Sequence, residues 1–296
     1  MRYPCLLVSV VAVSALLPSC KKAETTPDGP LVADGPRLIM KFTFDSTQVR
    51  LNNLGNPASV PAGHGAQSPR FNKMSAHYVE FAPTMFTALG TGDVVYHASE
   101  TSLGGAVAID HDLCLSVGDS GTFLNIPLSD LSPGTYEWLR VSLAYQNYDI
   151  RFNAFSLPFW GSIASFIGYN TYISSFQVKD STVVVNGNRP QGYWAFEVHN
   201  PPVSTPVSTG QAPGTTVPNP IFATSPIPAG SCVVTGAFAT PLTITGSETE
   251  DIVIVVSLST NKSFEWTELD GDNVFEPIDG ETVVDMGVRG MIPIVQ

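Results

Sequence analysis

The strongest constraint in this chain is a side-chain alternation of period two, repeated in short runs and cut by glycine and proline. In Leu38-Ile39-Met40-Lys41-Phe42-Thr43-Phe44, residues 38, 40, 42 and 44 share one apolar face. Only an extended strand puts alternate residues on the same side. Gly134 to Tyr145 likewise puts Leu139, Val141, Leu143 and Tyr145 together, while Asp251 to Thr260 is apolar on both faces, as a doubly covered central strand must be. Thr182-Val183-Val184-Val185 and Tyr193-Trp194-Ala195-Phe196 flank Asn186-Gly187, a dipeptide that predicts a hairpin turn. No run carries a capped amphipathic helix longer than about three turns, and Leu128 to Leu131 predicts one short turn. With 25 Gly and 24 Pro punctuating these runs, the expected fold is all-β: a single large antiparallel β-sandwich with long loop insertions.

Two segments break the alternation. Residues 152–178 carry no Lys, Arg, Asp or Glu but hold Phe152, Phe155, Phe159, Trp160, Phe166, Tyr169, Tyr172 and Phe176. Pro158, Gly161 and Gly168 within it argue against a membrane span. Residues 200–229 are also uncharged and rich in proline. The expected organisation is a domain over 36–296 with insertions at 148–180 and 200–230; a division into two domains near 205 is the alternative.

The amino terminus reads as an address. Met1-Arg2-Tyr3 is followed by an uncharged apolar run from Cys5 to Leu17, too short to span a bilayer but suited to a secretory signal. Leu17-Pro18-Ser19-Cys20 resembles a bacterial lipobox. That resemblance implies cleavage after residue 19, acylation of Cys20, and residues 20–35 as a polar tether to the lipid bilayer. Lys21 follows the cysteine, so the common inner-membrane retention signal is missing and an outer-membrane location is expected, facing either the periplasm or the exterior. Export to an oxidising compartment makes a Cys114–Cys232 disulfide the expectation, with two separately buried thiols as the alternative.

Lys+Arg number 14 against 26 Asp+Glu, giving a net charge of −12, which argues against a nucleic-acid partner. Gly118-Asp119-Ser120-Gly121 matches four residues of a serine-protease nucleophile motif, but these are ordinary turn residues without the expected histidine setting. His77, His97 and His111 lie on separate predicted strands or their ends, and imidazoles with carboxylates suit copper or zinc. Asp110 and Asp112 flank His111, though a strand would point the histidine away from both. The acidic run from Asp270-Gly271-Asp272-Asn273 to Glu281 reads as a hairpin or a calcium loop without EF-hand spacing. Trp160 and Tyr169 are candidate stacking platforms for a glycan; the competing reading makes them core aromatics.

From about residue 37 to 145 the order of features resembles the MbnP-like family of secreted β-sandwich proteins. The resemblance runs through the Leu38–Phe44 strand, Lys73-Met74-Ser75-Ala76-His77-Tyr78-Val79-Glu80, Tyr96-His97 before Glu100, Ile126-Pro127-Leu128, and Pro133-Gly134-Thr135-Tyr136. It implies a copper-handling role by analogy and assigns no ligand to a numbered residue. The chain is therefore expected to be a non-enzymatic, lipid-anchored binding or structural module of the cell envelope. Copper binding is one alternative; recognition of a glycan or an envelope protein is the other.

Overall fold

The computed structural model describes residues 35–52, 55–202, 205–212, 230–288 and 290–296. The signal over 1–19, Cys20 and nearly all of the tether lie outside the described residues. Strands follow one another along the chain as β1 (Arg37–Asp45), β2 (His64–Gln67), β3 (Arg70–Ala82), β4 (Asp93–His97), β5 (Glu100–Thr101) and β6 (Ala108–Asp110). Next come β7 (Ser116–Val117), β8 (Gly121–Pro127), β9 (Gly134–Ala154), β10 (Leu157–Phe166), β11 (Asn170–Gln177), β12 (Thr182–Pro190) and β13 (Tyr193–Val198). The last are β14 (Ser208–Gln211), β15 (Cys232–Ile244), β16 (Ile252–Ser259), β17 (Phe264–Thr267), β18 (Val283–Met286) and β19 (Met291–Val295). Helical structure among the described residues is limited to two 3₁₀ turns, His111–Leu113 and Leu128–Asp130, the second where a short turn was expected.

Several sheets pack together as an all-β sandwich. One is ordered β19-β16-β1-β8, with β1 parallel to β16. The largest runs β14-β13-β10-β9-β3-β4, and two smaller sheets are β12-β11-β6-β5 and β18-β17-β2. The expected faces are met: Leu38, Met40 and Phe42 of β1 are buried against Leu139, Val141 and Leu143 of β9, together with Ile254, Val256 and Leu258 of β16. Each such side chain removed from water contributes roughly 1.5–3 kcal/mol of transfer free energy.

The segment 148–180 is built differently from the expected loop insertion. It holds the end of β9 and all of β10 and β11. Phe166 and Phe176 form one further core with Tyr145, and Phe152 forms another with Tyr148, Phe264 and Trp266. The lack of charge over 152–178 follows from burial of many of its side chains in these two cores. Asn186-Gly187 is no hairpin turn either. Asn186 adopts φ +48° inside β12, where the register against β11 slips between Ile173 and Ser175, so the dipeptide makes a bulge. The chain reverses instead between β11 and β12, over 178–181, where the Val178 N–H donates to the Ser181 carbonyl at 3.0 Å.

The expected Cys114–Cys232 disulfide is absent, and both residues are free thiols. Cys232 pairs with Leu143 on one edge of β9, whereas the Cys114 thiol lies by Ser75 of β3, on the other edge. Strands on either side of a third are roughly 9–10 Å apart, beyond the reach of a disulfide. Burial pushes the Cys114 thiol up to about 11 and the Cys232 thiol up to about 12, the latter with help from Asp285.

Candidate metal centre

His77 sits where the β3–β9 ladder slips: Ala76 pairs with Leu143 and Tyr78 with Ser142, leaving His77 as the extra residue of a bulge. A bulge re-aims the side chain of its extra residue. Here the imidazole is fully buried and turned toward β4, whose last residue, His97, pairs with Tyr78. Three residues further on, Glu100 opens β5 on a different sheet. The Nε2 atoms of His77 and His97 are 3.1 Å apart. Glu100 Oε1 is 3.1 Å from His77 Nε2 and 3.8 Å from His97 Nε2.

Donors bound tetrahedrally at ~2.0–2.1 Å from one ion stand about 3.3 Å from each other. The three observed separations bracket that value, so this triangle of two imidazoles and a carboxylate has the size of a coordination face. Burial, reinforced by the neighbouring His97, lowers the His77 pKa to about 4 against the opposing pull of Glu100. The ring is therefore neutral near pH 7, the form that ligates a metal. Its Nδ1 is buried without a hydrogen-bond partner, so ligation through Nε2 would leave the ring proton on an Nδ1 that has no acceptor.

Tyr169 completes the cluster. Its hydroxyl donates to Glu100 Oε1 at 2.9 Å, and its ring centroid lies 5.6 Å from that of His77. Burial and the bond to Glu100 raise the Tyr169 pKa, so it remains a phenol.

Of the three histidines singled out from sequence, His77 and His97 converge and His111 does not. His111 lies in the first 3₁₀ turn, its ring 5.0 Å from Tyr145 and 5.0 Å from Phe166, and burial lowers its pKa to about 4. Asp110 caps that turn by accepting from the Asp112 backbone, and Asp112 accepts from Ser174. Glu100 takes the place His111 was expected to fill. Tyr169, a candidate stacking residue, has its hydroxyl engaged at this cluster. Trp160 lies elsewhere, with the guanidinium carbons of Arg70 and Arg151 at 4.3 Å and 5.2 Å from its ring centroid.

Two further clusters bear on chemistry. Around Asp270, the carboxylates of Glu268, Asp272 and Glu281 accept backbone N–H groups of their own loop, which makes them turn caps. Sequence reasoning also missed that Ser162 Oγ donates to Asp149 Oδ1 at 2.5 Å and accepts from His199 Nε2 at 2.8 Å. In a nucleophilic triad the carboxylate bonds the far ring nitrogen. Here Asp149 lies 3.6 Å from the same Nε2, and Ser162 is fully buried, so the trio ties β9 and β10 to the segment after β13. The Gly118–Gly121 motif is a turn closed by a Gly121 N–H to Gly118 bond, with Ser120 at φ +59°. No protein-family model matches the chain, and no curated protein or solved structure matches it either.

Proposed function

We propose that this protein is an exported, lipid-anchored binding protein of the cell envelope whose ligand is one divalent first-row transition ion, held by His77, His97 and Glu100. The observation that carries the reading is the donor triangle of 3.1, 3.1 and 3.8 Å. Two imidazoles and one carboxylate suit copper or zinc, and copper(II) binds such donors more tightly than its neighbours in the series. His97 and Glu100 are partly exposed, so an ion has a path in from solvent.

Calorimetric titration of the full chain with copper(II) and zinc(II) tests this. One equivalent should bind, with copper tighter, and His97→Ala should abolish tight binding of both. Stoichiometry below about a tenth of an equivalent in the wild-type chain sinks the metal reading. Anchoring is tested separately: labelled palmitate should enter the wild-type chain in cells and be lost from Cys20→Ser, which should also leave the membrane fraction. Labelling that persists in Cys20→Ser overturns the anchor.

A further inference from the structure

We infer that Tyr169 is the positioning residue that makes Glu100 a single-oxygen ligand, and that the centre thereby selects small ions of low coordination number over oxygen-seeking ions such as manganese(II) and calcium. The inference rests on the metal reading above and adds a selectivity mechanism to it. Glu100 Oε1 receives the Tyr169 hydroxyl at 2.9 Å and faces His77 Nε2 at 3.1 Å. Among the described residues, Glu100 Oε2 takes no hydrogen bond. A carboxylate oxygen has two lone-pair positions, so Oε1 can keep the phenol proton on one and offer the other to a cation.

That division has a geometric consequence. With Oε1 tied to Tyr169 at 2.9 Å, the Glu100 carboxylate is less free to turn both oxygens toward one ion. Ions that take six to eight oxygens favour such two-oxygen binding. Copper(II) and zinc(II) do not need it, because two nitrogens and one oxygen leave room for only one or two outside donors. Tyr169 acts wholly through Glu100 in this scheme: its ring flanks His77 but makes no hydrogen bond to either imidazole.

Titrations of wild type, Tyr169→Phe, Glu100→Ala and the double variant with zinc(II), manganese(II) and cobalt(II) provide the test. Removing a hydrogen-bond partner of a ligand typically weakens metal binding about 10–100-fold. Tyr169→Phe should lose that much zinc affinity and lose less, or gain, for manganese(II). Its cobalt(II) complex should show weaker visible absorption, as a released carboxylate raises the coordination number. In the Glu100→Ala background, Tyr169→Phe should change zinc affinity less than twofold. Equal losses in both backgrounds make Tyr169 merely structural and overturn the inference, as does a Tyr169→Phe chain indistinguishable from wild type. A wild-type chain that binds no ion defeats the metal reading itself, a different result from either.

Discussion

The Nε2 atom of His77 stands 3.1 Å from the Nε2 atom of His97, although one imidazole is sealed inside the protein and the other is half in water. This asymmetry separates the two roles. His97→Ala should leave the fold intact and weaken copper(II) binding by more than the 10–100-fold that loss of an indirect partner brings. His77→Ala should do the same and also lower the melting temperature, because it opens a cavity beside β9. Calorimetric titration alongside thermal melts separates the effects; equal melting temperatures for the two variants would contradict this assignment.

Because the donors come from two sheets, bound metal should staple them. An ion that binds only the native state adds about 2.7 kcal/mol at a free concentration one hundred times its dissociation constant. Zinc(II) should therefore raise the melting temperature of wild type more than that of Glu100→Ala. A shift of equal size in both would place the ion elsewhere.

Stability should fall as the solution is acidified from pH 6.5 toward 4. His77 and His111 both have folded pKa values near 4 against an ordinary value of 6.5, each because burial disfavours the charged ring. In that window the unfolded chain binds more protons, so stability is retained above 6.5 and drains away as pH falls through the folded values. For His111 the shift corresponds to roughly 3 kcal/mol at most, reduced by its partial exposure. Urea denaturation at pH 7 and pH 4.5 should show a smaller pH difference in His111→Phe than in wild type. An unchanged difference removes His111 from the account.

Arg140 and Glu80 are both buried, 3.8 Å apart, and Glu80 Oε1 also accepts the backbone N–H groups of Gly90 and Gly92. Arg140→Met would leave a buried carboxylate without its counter-charge, a loss of about 3–5 kcal/mol. The urea midpoint reads this directly. A loss under about 1 kcal/mol would mean that the backbone donors alone sustain the charge.

Much of the sandwich was legible in the sequence because one-sided burial leaves a period-two trace, as in Leu38, Met40 and Phe42. The trace vanishes in 148–180 because the segment feeds two cores at once: Phe166 and Phe176 pack into one, Tyr148 and Phe152 into the other. Both faces turn apolar, and the stretch resembles an insertion. The candidate metal centre was half legible. His77 and His97 were identifiable as residues, but their meeting depends on a bulge that leaves no residue signature. Glu100 reaches them only because β5 belongs to another sheet. The free thiols follow from strand order, which spacing along the chain does not reveal.

β9 carries Leu139, Val141 and Leu143 in the first core, Tyr145 in the second, and Tyr148, Ile150 and Phe152 in the third. Three interiors thus hang from one continuous strand, with no perforation line along which the chain could tear into self-sufficient pieces. A chain truncated after Ala154 should be insoluble or unfolded, because it leaves β9 facing water where Ile163, Phe166, Phe264 and Trp266 belong. The same spine runs beside the bulge that aims His77, so loosening any one interior should be felt at His77 and the residues gathered around it.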